Sequence, residues 1–94
     1  LFGLVSQMKR AAVSIASNIA EGFGRRGLRE KIQFYYIAQG SLVELKNQLL
    51  IARDVGYIES ADFAKLSDQT QTTHRLLQGL ITKSKSLVNQ LPRS

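Results

Sequence analysis

The chain has 94 residues, of which 44% are hydrophobic and 21% are charged, so it is long enough for one small domain and too apolar for general disorder. The absence of cysteine excludes a disulfide framework and a nucleophilic thiol, and agrees with a reducing compartment. The apolar runs reach about four residues, against the ~20 that a membrane-spanning helix needs, and we expect no signal peptide. We therefore predict a cytoplasmic protein that does not bind membranes.

Positive charge is in excess and is unevenly placed along the chain. Thirteen Lys and Arg residues against seven Asp and Glu residues give a net charge of +6. Residues 1–31 hold six basic and two acidic residues. Residues 32–63 hold two basic and four acidic residues, and residues 64–94 hold five basic residues and one acidic residue. Such an uneven positive charge favours a polyanionic partner through long-range attraction.

The first segment has the apolar spacing of a helix over residues 2–21. Apolar residues recur at steps of three and four, and a second apolar line lies beside the first, so we expect neighbours on more than one side. Many residues between 11 and 22 are small, which favours close approach by another backbone. Gly22, Gly24 and Gly27 then predict a break in the helix, because glycine permits the positive φ of a tight reversal.

Two longer helices are predicted over residues 28–55 and 60–91. Gly40 lies mid-helix, where glycine costs about 1 kcal/mol relative to alanine, so we expect a close helix crossing there. Ser60 is the predicted N-cap of the third helix, and Pro92 ends it. The connections are short and no strand pattern occurs, so residues 1–94 are predicted to form one all-α domain, an up-and-down antiparallel helical bundle.

The apolar faces of the three predicted helices are broader than three helices can cover. Each exposed Leu or Ile side chain would forgo roughly 1.5–3 kcal/mol of burial. We therefore expect a fourth helix, from a segment that precedes Leu1 or from another subunit, and assembly of the chain into homo-oligomers.

The strongest functional signal is a cluster of positive side chains where the second helix begins. We call it the basic corner, and it consists of Arg25, Arg26, Arg29 and Lys31. Lys9 and Arg10, further along the first helix, are added to the candidate nucleic-acid-binding residues because such side chains neutralise phosphates without reading sequence. The alternative is that these charges only aid solubility, although arginine in a first helical turn opposes the helix dipole and so favours another use.

Other charged and aromatic residues give weaker signals. A second basic patch near the end of the chain is interpreted as solvated surface, and it consists of Lys83, Lys85 and Arg93. Three neighbouring aromatic residues could stack on bases, but their spacing favours core packing, and Tyr36 is the first candidate for an exception; they are Phe34, Tyr35 and Tyr36.

The remaining polar residues do not form a pattern typical of catalysis or metal binding. Four of them on largely apolar helices are interpreted as a buried hydrogen-bond network that fixes helix register, namely Ser17, Asn18, Glu21 and Glu44. His74 is the single histidine and is interpreted as a surface residue, which makes a zinc site implausible. We predict no enzymatic activity, no catalytic residue, no metal and no cofactor.

The order of residues in the first two helices resembles a known bacterial family. The segments that carry the resemblance are FGLVSQMKRAAVSI at 2–15, SNIAEG at 17–22, AQGSLVEL at 38–45 and DVGYI at 54–58. They are similar to the four helix bundle proteins encoded in intervening sequences of large-subunit ribosomal RNA genes, whose relatives include the accessory variability proteins of diversity-generating retroelements. One departure is Ala16, where the family usually has proline, so the helix kink that a proline would cause is not expected here.

The resemblance implies a four-helix bundle, with a further amphipathic helix before residue 2, that assembles into a ring, typically a homopentamer. It also implies nucleic-acid binding through basic surface and, in retroelement relatives, binding to a reverse transcriptase. Our leading hypothesis is a non-enzymatic, oligomeric protein that binds structured RNA, or RNA and DNA during reverse transcription, through electrostatic contacts. The alternative is a protein-interaction scaffold whose positive charge is incidental.

Overall fold

The structure of the chain is a computed structural model that describes residues 1–92. It contains the helices α1 (Phe2–Gly24), α2 (Leu28–Asp54) and α3 (Ser60–Asn89), and residues 1–92 contain no strand. The molecule is elongated, with dimensions of 55 × 21 × 15 Å. The predicted all-α fold is confirmed. None of the three helices is apolar enough over a sufficient length to cross a membrane, as judged on the described residues.

Helix α2 lies at the centre of the bundle. Helices α1 and α3 both pack against α2, and within residues 1–92 no Cα atom of α1 lies within 8 Å of a Cα atom of α3. Both pairs are antiparallel: the Ser14 hydroxyl of α1 meets the Ser41 hydroxyl of α2 at 2.7 Å, while the Gln39 amide of α2 donates to Gln78 of α3. The short connections predict this up-and-down order correctly, since they leave no room for a crossover.

The buried core follows the apolar stripe of α2. Its six buried members are Ile15, Tyr35, Ala38, Leu42, Leu77 and Ile81. All three helices contribute to it, so the core is continuous through the thickness of the bundle. Burial of each large apolar side chain contributes roughly 1.5–3 kcal/mol, and this burial holds α1 and α3 on either side of α2.

The predicted helix break at Gly22 is wrong. Gly22 and Gly24 are helical, and α1 continues to Gly24. Gly22 is buried because the Tyr35 ring packs against its Cα, and a Cβ placed on it would lie 2.9 Å from Tyr35 Cδ1. The chain reverses with Gly27 at φ −79°, and among the described residues Gly56 alone has a positive φ, 81°. Gly22 therefore provides space for a neighbouring helix rather than a turn conformation.

The predicted N-cap at Ser60 is wrong, and the predicted close crossing at Gly40 is not made by a helix within residues 1–92. A Cβ added to Gly40 would meet nothing within 4 Å, and a crossing by another subunit stays a prediction. The N-cap of α3 is Glu59, with Ser60 as the first helical residue, and no side-chain hydrogen bond caps that end. The other helix ends agree with the predicted ends to within three residues, as is usual where helix ends fray.

One side of α2 is left open between α1 and α3. The open side forms a groove of about 720 Å³ that is lined mainly by apolar side chains of all three helices, among them Met8, Ile19, Leu45, Leu49, Ile58 and Leu66. These residues lie on the broad apolar faces found in the sequence. The fourth helix that would cover them stays a prediction.

Candidate nucleic-acid interface

The antiparallel topology places the end of α1, the start of α2 and the end of α3 at one end of the bundle. We call this the corner end, and it comprises residues 21–36 and 78–92. Its basic side chains number six, against two glutamates, and they are Arg25, Arg26, Arg29, Lys31, Lys83 and Lys85. Residues 50–68, at the opposite end, hold four acidic and two basic residues. Charge is therefore segregated along the long axis of the molecule.

Arg25 is engaged in contacts within the chain. Its guanidinium lies 3.2 Å from the Glu21 carboxylate and 3.7 Å from the Glu30 carboxylate. The same group lies 4.8 Å from the centroid of the Phe34 ring. Exposed ion pairs contribute at most about 1 kcal/mol each, but together these contacts hold the end of α1 against the start of α2. Arg25 is therefore less available to a ligand than its position in the sequence implies.

Lys31 also has a structural contact. Its Nζ atom donates hydrogen bonds to the backbone carbonyls of Gly22 and Phe23, both at 3.0 Å. The last carbonyls of a helix lack partners within that helix, and a positive charge beside them also complements the helix dipole. Lys31 thus caps α1 from the first turn of α2. A lysine that lies seven residues after the end of a helix, across a turn, has no sequence signature of this role.

Arg26 and Arg29 are the remaining members of the basic corner. Both side chains are exposed, and neither forms an ion pair with another residue of the described part of the chain. Arg29 lies in the first turn of α2, where its charge opposes the helix dipole. Of the four corner residues, these two are the ones whose charges are free to meet a phosphate.

Lys9 and Arg10 do not lie near the basic corner. Both are exposed on α1, and Arg10 is separated from Gly24 by 14 residues of continuous helix, or about 20 Å at 1.5 Å per residue. They line a shallow surface depression with the exposed Phe2 and Val13. They can therefore share a ligand with the basic corner only if that ligand runs along the length of the bundle.

The basic patch near the end of the chain, interpreted from sequence as solvated surface, contributes two exposed lysines to the corner end. Lys83 and Lys85 are exposed at the corner end, whereas Arg93 lies outside the described residues. The Lys85 ammonium lies 5.0 Å from the centroid of the Tyr36 ring, which links the end of α3 to the start of α2. Tyr36, the first candidate from sequence for an exception to core packing, is exposed, with 44% of its surface accessible. The predicted antiparallel order was the signal that could have joined the two patches.

The polar residues between α1 and α2 differ from the predicted network. Ser17, Glu21 and Glu44 are exposed, so they cannot form a buried network. The half-buried Ser14 contacts Ser41 across the helix pair, and the Asn18 amide donates to the Ser14 carbonyl at 2.8 Å. Asn18 is therefore the single member that was identified correctly.

Two aromatic groups complete the description of the interior. Tyr35 is buried as predicted, and desolvation by this burial raises the pKa of its phenol above the ordinary value. His74 of α3 is half-buried, and its Nδ1 atom is buried without a hydrogen-bond partner among the described residues. Within residues 1–92, no three His, Asp or Glu side chains come close enough together to hold a metal ion.

Comparison with known proteins identifies the family of the chain. Residues 1–79 match the sequence model of the family described as 23S rRNA-intervening sequence protein. No curated protein matches the chain. The matched region covers α1, α2 and the first two-thirds of α3, and so includes the basic corner and every core residue except Ile81. The chain therefore belongs to the 23S rRNA-intervening sequence protein family.

Proposed function

We propose that this chain is a non-enzymatic, oligomeric protein of the cytoplasm that binds nucleic acid through its corner end. The ligand class is structured RNA, or RNA and DNA within a reverse-transcription complex. The observation that carries the proposal is the concentration of six Lys and Arg side chains, with two glutamates, at one end of a 55 Å bundle.

Arg26 and Arg29 are the proposed primary phosphate contacts. Their charges are not matched by carboxylates of the described residues, whereas Arg25 is paired with two. A solubility role explains positive charge in general, but it does not require four acidic residues to gather at the opposite end. Contacts with phosphates release counterions, so affinity should fall steeply with salt and depend little on sequence.

The experiment compares two double variants that change net charge equally. Arg26→Glu with Arg29→Glu alters the corner end, and Lys65→Glu with Arg75→Glu is the matched control elsewhere on exposed α3 surface. Fluorescence anisotropy with a labelled stem-loop RNA is measured across a salt series. The corner variant should lose most of its affinity and lower the salt slope by about 1.5, since each phosphate contact contributes roughly 0.7–0.9. Equal losses in both variants would refute the corner as the site.

We further propose self-association, in which two different exposed apolar faces of the chain meet. The outer face of α1 exposes Val13 at 64% of its surface, and the outer face of α2 exposes Val43 at 58%. Two different faces favour a heterologous, ring-closing contact, which agrees with the homopentamer implied by the resemblance. A folded monomer at micromolar concentration in sedimentation equilibrium would contradict this proposal.

A second candidate function is a protein-interaction scaffold, for example one that docks a reverse transcriptase. The apolar groove of about 720 Å³ between α1 and α3 favours it, because exposed apolar surface of this kind is typical of protein contacts. Purification with a stable protein partner and without nucleic acid, together with unchanged behaviour of the Arg26 and Arg29 variant, would favour the scaffold over nucleic-acid binding.

A further inference from the structure

Tyr36 and Lys85 form an exposed aromatic and cationic pair that the fold does not require. Lys85 lies 5.0 Å from the centre of the Tyr36 ring, and both side chains are at the surface between α2 and α3. The core of the bundle is formed by other residues, including the neighbouring Tyr35. An isolated cation–π contact at such an exposed site changes an equilibrium by about 2- to 5-fold, so it is a weak clamp between helices.

Arg29 lies on the same side of α2 as Tyr36. The two residues are seven positions apart, which is two helical turns and about 10 Å along the axis. Arg29 is exposed and forms no ion pair with the residues that the structure describes. The Tyr36 ring therefore has the Lys85 ammonium of α3 against its face, and Arg29 lies two turns away on the same side of α2.

We propose that Tyr36 is a stacking platform for an unpaired base, and that the preferred ligand of the corner end is single-stranded nucleic acid. In this arrangement Arg29 and Lys85 contact phosphates on either side of the stacked nucleotide. A base in a duplex is already stacked and paired, so its face is not available to a protein ring. The inference rests on the proposed function, because it specifies which form of nucleic acid the corner end takes.

Replacement of the Lys85 ammonium by a base on the Tyr36 ring is favourable. A base that stacks on Tyr36 displaces the Lys85 ammonium, which is then free to contact the adjacent phosphate. Stacking of one base on an aromatic side chain changes affinity by about 5- to 150-fold, more than the 2- to 5-fold effect of the cation–π contact that is lost.

The test compares binding of oligouridine with binding of an RNA duplex of the same length. Tyr36→Leu should weaken oligouridine binding about tenfold and leave duplex binding unchanged, while Tyr36→Phe should remain within about twofold of the original protein. Tyr57→Leu is the matched control, since Tyr57 is similarly exposed, at 49%, and lies at the opposite end of the bundle. Oligouridine should also quench tyrosine fluorescence, which is readable because the chain has three tyrosines and no tryptophan.

The outcomes separate this inference from the proposed function. Equal oligouridine binding by the original protein and by Tyr36→Leu would overturn the stacking platform. Equal losses for oligouridine and duplex would also overturn it, because they would assign the ring a structural role. If the Arg26 and Arg29 variant still lost binding in either case, the proposed function would stand without this inference. Failure of the original protein to bind either RNA would refute both.

Discussion

Replacement of Gly22 by alanine tests whether α1 and α2 approach as closely as the structure indicates. The added Cβ would lie 2.9 Å from Cδ1 of Tyr35, and two further atoms of the same ring would also be too close to it. The ring has little room to move, because Tyr35 is buried and packs edge-on against Phe23 with 6.0 Å between centroids. The helices must therefore separate or the ring must leave its position.

The two opposing effects of this substitution have known sizes. Alanine in place of a helical glycine contributes up to about 1 kcal/mol in favour of the folded state. Overpacking of a filled interior typically costs about 1–3 kcal/mol. We expect the second effect to dominate, so that Gly22→Ala lowers the free energy of unfolding by about 1–2 kcal/mol.

Gly24→Ala is the matched control, because Gly24 lies in the same last turn and a Cβ there would meet nothing within 4 Å. It should leave stability unchanged or raise it by up to about 1 kcal/mol. Urea unfolding at a fixed protein concentration should therefore separate the two alanine variants by about 2 kcal/mol, or roughly 8–16 °C in Tm for a domain of this size. Equal stability of the two variants would refute the close approach.

Tyr35→Leu combined with Gly22→Ala should recover part of the stability that Gly22→Ala alone loses, since the two sites are coupled.

Two further predictions concern stability at the corner end and in the core. Lys31→Met should lower the free energy of unfolding by about 1 kcal/mol in urea titrations, since Lys31 caps two carbonyls of α1, whereas Lys83→Met on exposed surface should not. Burial raises the pKa of the Tyr35 phenol above 10.0, so the unfolded chain loses this proton first as pH rises. The protonated Tyr35 phenol therefore makes its full contribution to the free energy of unfolding below pH 10, and this contribution is lost as pH rises through the raised pKa. Tyr35→Phe should remove this part of the alkaline loss in unfolding measured across pH; an unchanged alkaline profile would refute it.

The sequence was sufficient for the helices and their order because apolar spacing and connection length are local properties. It was insufficient to assign a role to each glycine, since a glycine can form a turn, permit a close contact between helices, or do neither. Gly22 provides space for Tyr35, Gly56 adopts a positive φ, and Gly40 does neither within this chain. The distinction depends on which side chain arrives from another helix, and one segment of sequence does not contain that information.

In the candidate site too, the sequence did not reveal which residues contact one another. A cluster of four positive residues looks uniform in sequence, but its members differ in their partners. Glu21 and Glu30 approach Arg25 from two helices, and the carbonyls at the end of α1 bind Lys31. The pairing of Arg25 with Glu21 at i and i+4 could have been found from spacing alone. The Lys31 contacts could not, because they depend on the angle at which α2 leaves the turn.

This division of roles decides how the proposed site must be tested. Removal of Arg25 together with Arg26 and Arg29 would break two ion pairs and the contact with Phe34, and so weaken the junction of α1 and α2. Small domains are only marginally stable, so a loss of binding in such a variant would have two explanations. Substitution of Arg26 and Arg29 alone changes charge without removing a described contact. Loss of binding with an unchanged unfolding transition would then be attributable to the phosphate contacts themselves.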